Sequence, residues 1–179
     1  MTIFDKDFKE ILSSQIVSVG GGLIAGTILA AYSNQLLMIP GMLILIPGFL
    51  EMRGNISGTL ASRLSSGLFL GLVKPNIRTS VVKGNLLASF ALAIFTSLAL
   101  GIVAFLFNYF VFNVIMFKII LMPLVAGVIA NLIEIPLTLF ATFYLFKKGH
   151  DPNNIIGPFV TTTGDITSII SLLIAMVIL

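Results

Sequence analysis

The chain contains no cysteine, which excludes disulfides, thiolate metal ligands and a cysteine nucleophile, and leaves the redox compartment open. Charge is nearly as scarce. Ten Lys and Arg and seven Asp and Glu make up 9% of the 179 residues, far below the roughly 25% of a soluble domain. No glycine-rich phosphate loop, zinc motif or nucleophile–base constellation occurs, so the sequence offers neither an ATP-driven pump nor an enzyme. The opening MTIFDKDFKE lacks the small-residue cleavage site of a signal peptide, and the first helix is expected to be retained. What remains is apolar: 58% hydrophobic residues and a mean hydropathy of +1.13 describe an integral membrane protein without a sizeable soluble domain. Membrane topology accounts for the net charge of +3 without a nucleic-acid partner.

A helix needs roughly 20 apolar residues to cross a bilayer. Five segments qualify, near residues 11–37, 42–70, 80–107, 117–146 and 155–179, separated by loops such as VKPN and KKGHDPNN. The expected fold class is therefore all-α and polytopic, with a short cytoplasmic N-terminus at 1–10 and a five-helix domain at 11–179. Lys6, Lys9, Lys74, Arg78, Lys83, Lys147 and Lys148 fall on one side of this topology and Lys118 on the other. That bias predicts a cytoplasmic N-terminus and an extracytoplasmic C-terminus in the cell membrane. The chain has no internal repeat, so any two-fold pathway requires a second copy.

Helical spacing sorts the intramembrane polar residues into three stripes. The second helix carries Glu51, Asn55, Gly58, Ser62 and Ser66; the fourth carries Asn131, Glu134, Thr138 and Thr142; the fifth carries Thr161, Asp165 and Ser168. Ser and Thr alone read as glue between helices. An acid in the hydrocarbon is costly unless it faces water or a partner, which points to Asp165 as a cation-facing carboxylate. Glu134 reads equally as a pore acid or as the counter-ion of Arg53. Arg63 reads as a snorkelling residue near the cytoplasmic end, His150 as a solvated loop residue, and GGGLIAG as close helix packing, with a subunit interface as one use. Carboxylates, amide oxygens, hydroxyls and carbonyls freed at Gly and Pro suit hard cations such as Mg2+ or Ca2+. Two copies of Asp165 about an axis would supply such a site.

Several of these residues also carry a resemblance. RGN and ASRLSSG after Pro47, Ala130-Asn131 with Pro136, and the spacing of Asp151-Pro152, Pro158, Thr162 and Asp165 in GHDPNNIIGPFVTTTGD resemble the membrane domain of the MgtE family, in particular the branch that includes the eukaryotic magnesium carriers. The likeness extends over about residues 10–179. It implies a homodimer of five-helix protomers with a central Mg2+ pathway lined by the second and fifth helices. Asp165 would be the pore carboxylate, Thr161 and Thr162 would add contacts one turn earlier, and Gly54 and Asn55 would form the second-helix wall. A kink at Pro158 would open carbonyls toward the pore.

Departures from the family pattern accompany the likeness. Bacterial members carry cytoplasmic regulatory domains, including a CBS pair, where this chain has about ten residues, so gating of that kind is not expected here. Glu51 stands where glycine is usual, and Glu134 is a further acid; either could join the cation site, and added acids could couple transport to protons or sodium. Glu51 could instead pair with Arg53 or Arg63. Arg53 is expected to turn from the axis toward Glu134 or Glu51. The leading expectation is a divalent-cation transporter or channel, Mg2+ foremost. The alternatives are a membrane subunit with a structural ion network, or a cation-coupled carrier of another small substrate.

Overall fold

The computed structural model describes residues 5–179, and they fold into six helices. These are α1 (Lys6–Ala31), a single turn and a half at α2 (Ser33–Leu37), α3 (Met42–Phe69), α4 (Ser80–Phe112), α5 (Lys118–Lys147) and α6 (Pro152–Ile178). The termini follow ordinary capping chemistry. Asp5 accepts from the Phe8 amide at 3.0 Å to start α1, and Asp151 accepts from the Asn153 amide at 2.8 Å with Pro152 at the first position of α6. Between α2 and α3 the chain turns at Gly41, whose φ of 81° suits glycine, and the Asn108 amide of α4 pins the turn by donating to the Pro40 carbonyl at 2.7 Å.

Helices α3, α5 and α6 pack against one another at the centre; α4 covers α3 and α5, and α1 lies against α6. Small residues allow the closest approaches. Gly101 of α4 sits directly on the Ile120 backbone, and Gly21 of α1 sits on the Thr162 side chain, where a Cβ would overlap it. The glycine run of α1 is thus partly an intramolecular contact with α6, while Gly20, Gly22 and Gly26 face open space.

Two apolar clusters fill the interior. One joins Met42, Leu45 and Phe49 to Met122, Ala126, Ala130 and Leu172; the other joins Ile56, Leu60 and Leu64 to Ile135, Leu139 and Phe143. Arg53 and Glu134 fall between them on α3 and α5, a polar layer separating two greasy halves. The outer surface is apolar as well: Leu23, Leu72, Leu87, Phe95 and Phe110 are each more than 70% exposed, as lipid-facing residues would be.

Four helices, α1, α4, α5 and α6, are long and apolar enough to cross a membrane. Sequence reading anticipated five. The difference is α3: its 28 residues reach about 42 Å at about 1.5 Å per residue, but it carries Glu51, Arg53 and Arg63. Contacts between helix ends gather the basic residues at one end. Glu10 of α1 meets His150 of the α5–α6 loop, and Phe69 at the end of α3 meets Phe146 at the end of α5. Lys118 meets the Leu179 carbonyl at the other end.

Candidate cation site

The site is assembled along the seam between α3 and α6. A cavity of about 420 Å³, open on one side, is lined by Pro47, Leu50, Glu51, Arg53, Gly54, Asn55, Thr161 and Asp165. A smaller one of about 220 Å³ continues the seam toward the basic end, between Gly58, Ala61 and Ser62 of α3 and the first turns of α6. The polar stripe of α3 is exposed at Glu51, Asn55, Ser62 and Ser66, so one protomer leaves this face without a covering helix.

Five of the seven candidate residues meet in the larger cavity. Asp165 is partly open, its side chain 27% exposed. The Asn55 amide nitrogen donates to Glu51 Oε1 at 3.2 Å, which leaves the Asn55 carbonyl oxygen as a free acceptor. The Thr161 hydroxyl donates to the Gly157 carbonyl at 3.1 Å, so its lone pairs are likewise available to an electrophile. A methyl at Gly54 would meet nothing within 4 Å, so nothing inside the protomer demands glycine there.

The other two lie elsewhere. Thr162, one residue and about 100° around α6 from Thr161, donates to the Pro158 carbonyl at 2.9 Å and packs on Gly21, facing α1 rather than the cavity. Glu134 is fully buried behind the cavity wall, where it accepts from Thr167 at 2.9 Å and Thr163 at 3.2 Å. Its Oε2 is 3.7 Å from Arg53 Nη1, the position of a counter-ion. Two more expectations need correction. Pro158 cannot donate to the Asn154 carbonyl four residues earlier, but that carbonyl faces α1 rather than the cavity, 3.0 Å from the Ser14 hydroxyl, whose one proton it shares with the Ile11 carbonyl at 2.8 Å. His150 is not merely solvated: its Nδ1 lies 2.8 Å from the buried Glu10 carboxylate, which also meets Asn154 and the Asp151 amide.

Arg53 turns toward Glu134, one of the two acids expected, but it does not leave the cavity: it lines the wall and reaches Asp165 Oδ1, 3.5 Å from Nη2. The second contact had no signal in the sequence, because no base lies within a turn of Asp165 on its own helix. Gly164 makes it possible; a Cβ there would overlap the guanidinium. Among the described residues no group of three His, Asp or Glu side chains could hold a metal ion, so one protomer alone does not close a carboxylate cage.

Long apolar helices packed around a buried polar layer define a multi-pass helical membrane protein. Comparison with protein families goes further. Residues 46–175 match the model of MgtE, the divalent cation transporters, and the chain belongs to that family, whose members are transporters and not enzymes. The match spans α3 to α6 and contains every cavity residue, while α1 and α2 lie outside it. No curated protein and no solved structure matches the chain.

Proposed function

We propose that the protein conducts Mg2+ across the cell membrane through a pathway formed between two copies, with α3 and α6 of each facing the axis and Asp165 as the central carboxylate. Glu51, Gly54, Asn55 and Thr161 form the wall. All five long helices cross the bilayer in this reading, α3 shielding its charges in the seam, with the basic end cytoplasmic. The observation that carries it is that these residues share one open cavity on an uncovered face. Its donors are carboxylate, amide and hydroxyl oxygens, which suit a hard cation, and Mg2+ retains enough water to be held by few carboxylates. A second copy would bring its own Asp165 and Glu51 to the same space.

The membrane potential supplies about 2.3 kcal/mol per charge per 100 mV, and twice that for a divalent ion, so inward movement needs no coupled energy source. In proteoliposomes, Asp165→Asn is expected to lower Mg2+ flux at least ~10-fold, since losing even outer partners of a bound metal commonly costs ~10–100-fold. Unchanged flux from an intact dimer would sink this reading. It would favour a second one, to which the buried Arg53–Glu134 pair lends support: a structural membrane subunit whose charges only hold helices together.

A further inference from the structure

We propose that Arg53 is a tethered cation which occupies Asp165 when no ion is bound and moves wholly onto Glu134 when a divalent ion arrives. This rests on the reading of Asp165 as the ion's carboxylate. The guanidinium is fully buried between two unlike acids. Its separations, 3.7 Å to Glu134 and 3.5 Å to Asp165, both exceed the ~2.7–2.9 Å of a formed charge-assisted hydrogen bond. Nη1 reaches the Val160 carbonyl only at 3.4 Å, and Nε and Nη2 make no hydrogen bond. The group is placed between its partners and fully engaged with neither.

The two acids differ in what they can do. Glu134 is enclosed, with the Thr167 and Thr163 hydroxyls at 2.9 and 3.2 Å, each sharing its one proton between the carboxylate and carbonyls of α6. Asp165 opens to the cavity and can exchange Arg53 for an arriving ion. Gly164 leaves the space beside α6 in which the guanidinium lies.

A positive charge fixed beside Asp165 would repel every cation, and a divalent one most. A charge that can retreat acts differently. Moving Arg53 onto Glu134 costs the same whichever ion arrives, whereas the attraction of the freed carboxylate grows with the ion's charge. A divalent ion overcomes a threshold that a monovalent one does not. The return of Arg53 to Asp165 then displaces the ion, keeping the site weak enough to release its cargo.

Two variants give opposite signs. Glu134→Gln removes the anchor and leaves Arg53 to Asp165 alone, so the apparent Mg2+ affinity in proteoliposome flux is expected to weaken by about tenfold. Arg53→Gln combined with Glu134→Gln removes the tethered cation and its anchor together and leaves Asp165, open to the cavity, as the one charge of the layer; the affinity is expected to tighten by about tenfold, with Na+ and K+ becoming inhibitors. Mg2+ binding to purified protein, followed by calorimetry, should move the same way. Weakening by both variants alike, or no change in either, would overturn the proposal and leave Arg53 structural. Should the double variant fail to assemble, unaltered Mg2+ affinity in the near-isosteric Glu134→Gln overturns it alone. Asp165→Asn run in parallel separates the two ideas: flux lost there but unaffected by the Arg53 and Glu134 changes refutes only the tether, whereas wild-type flux in Asp165→Asn refutes the transport reading beneath it.

Discussion

At the scale of single residues the polar layer depends on one absence, the side chain of Gly164. Alanine would ordinarily favour a helix by up to about 1 kcal/mol, but here its Cβ would overlap the Arg53 guanidinium. Gly164→Ala is therefore expected to destabilise the protein by about 1–3 kcal/mol, the usual range for overpacking. Gly157→Ala, on the same helix with nothing within 4 Å of an added Cβ, should be neutral or stabilising. Thermal unfolding in detergent compares the two, and equal shifts would contradict the close seat assigned to Arg53. Charge balance narrowed the partner of Arg53 to Glu134 or Glu51, because a buried arginine needs an acid and few exist; the packing of α3 on α5 chose Glu134. The bridge to Asp165 was not legible, since it depends on how α3 and α6 are rotated against each other. The same rotation divides Thr161 from Thr162: both were candidates, and only Thr161 lines the cavity.

At the scale of elements, α1 stands apart, for it touches the bundle through α6 and the short α2. Its near end is held by a polar clasp in which Glu10 meets His150 at 2.8 Å, Asn154 at 3.3 Å and the Asp151 amide at 3.4 Å, with Lys6 donating to the Gly149 carbonyl at 2.6 Å. Glu10→Ala removes the acceptor facing His150 and the Asp151 amide, while Asn154 keeps Asp7 Oδ1 at 3.2 Å, and is expected to cost about 1–3 kcal/mol. Hydrogen exchange should rise in α1 and the first turn of α6, while the Mg2+ affinity of the α3–α6 cavity stays as it was. Equal exchange in wild type and variant would show that the clasp holds nothing. Four of the long helices were readable from apolar length, and so was the break at Pro75; α6 begins three residues earlier than its apolar run, at Pro152, because proline suits the first helical position. The clasp was not, since a loop histidine and a helix glutamate 140 positions apart carry no common pattern. Pro158 is a related case. The sequence shows that a carbonyl is freed, and only the packing of α1 shows that it faces the Ser14 hydroxyl.

At the scale of the whole molecule, the protomer has an apolar outer surface, a buried ion layer and an open polar seam between α3 and α6. Membership of the MgtE family gives the chain its chemical class, divalent-cation transport, where the polar residue types alone reached only as far as a hard-cation pathway. Among the described residues no three-acid cluster forms within one protomer, and in the proposed reading a second copy completes the site. The central claim is that two copies meet along α3 and α6 and hold Mg2+ between their Asp165 carboxylates. The most direct measurement is an experimental structure of the lipid-embedded protein in high Mg2+. The account predicts a two-fold dimer with ion density on the axis beside Asp165 and the Asn55 oxygen, and with Arg53 drawn onto Glu134. A dimer that turns the α3–α6 seam to lipid, with no ion at Asp165, would contradict it.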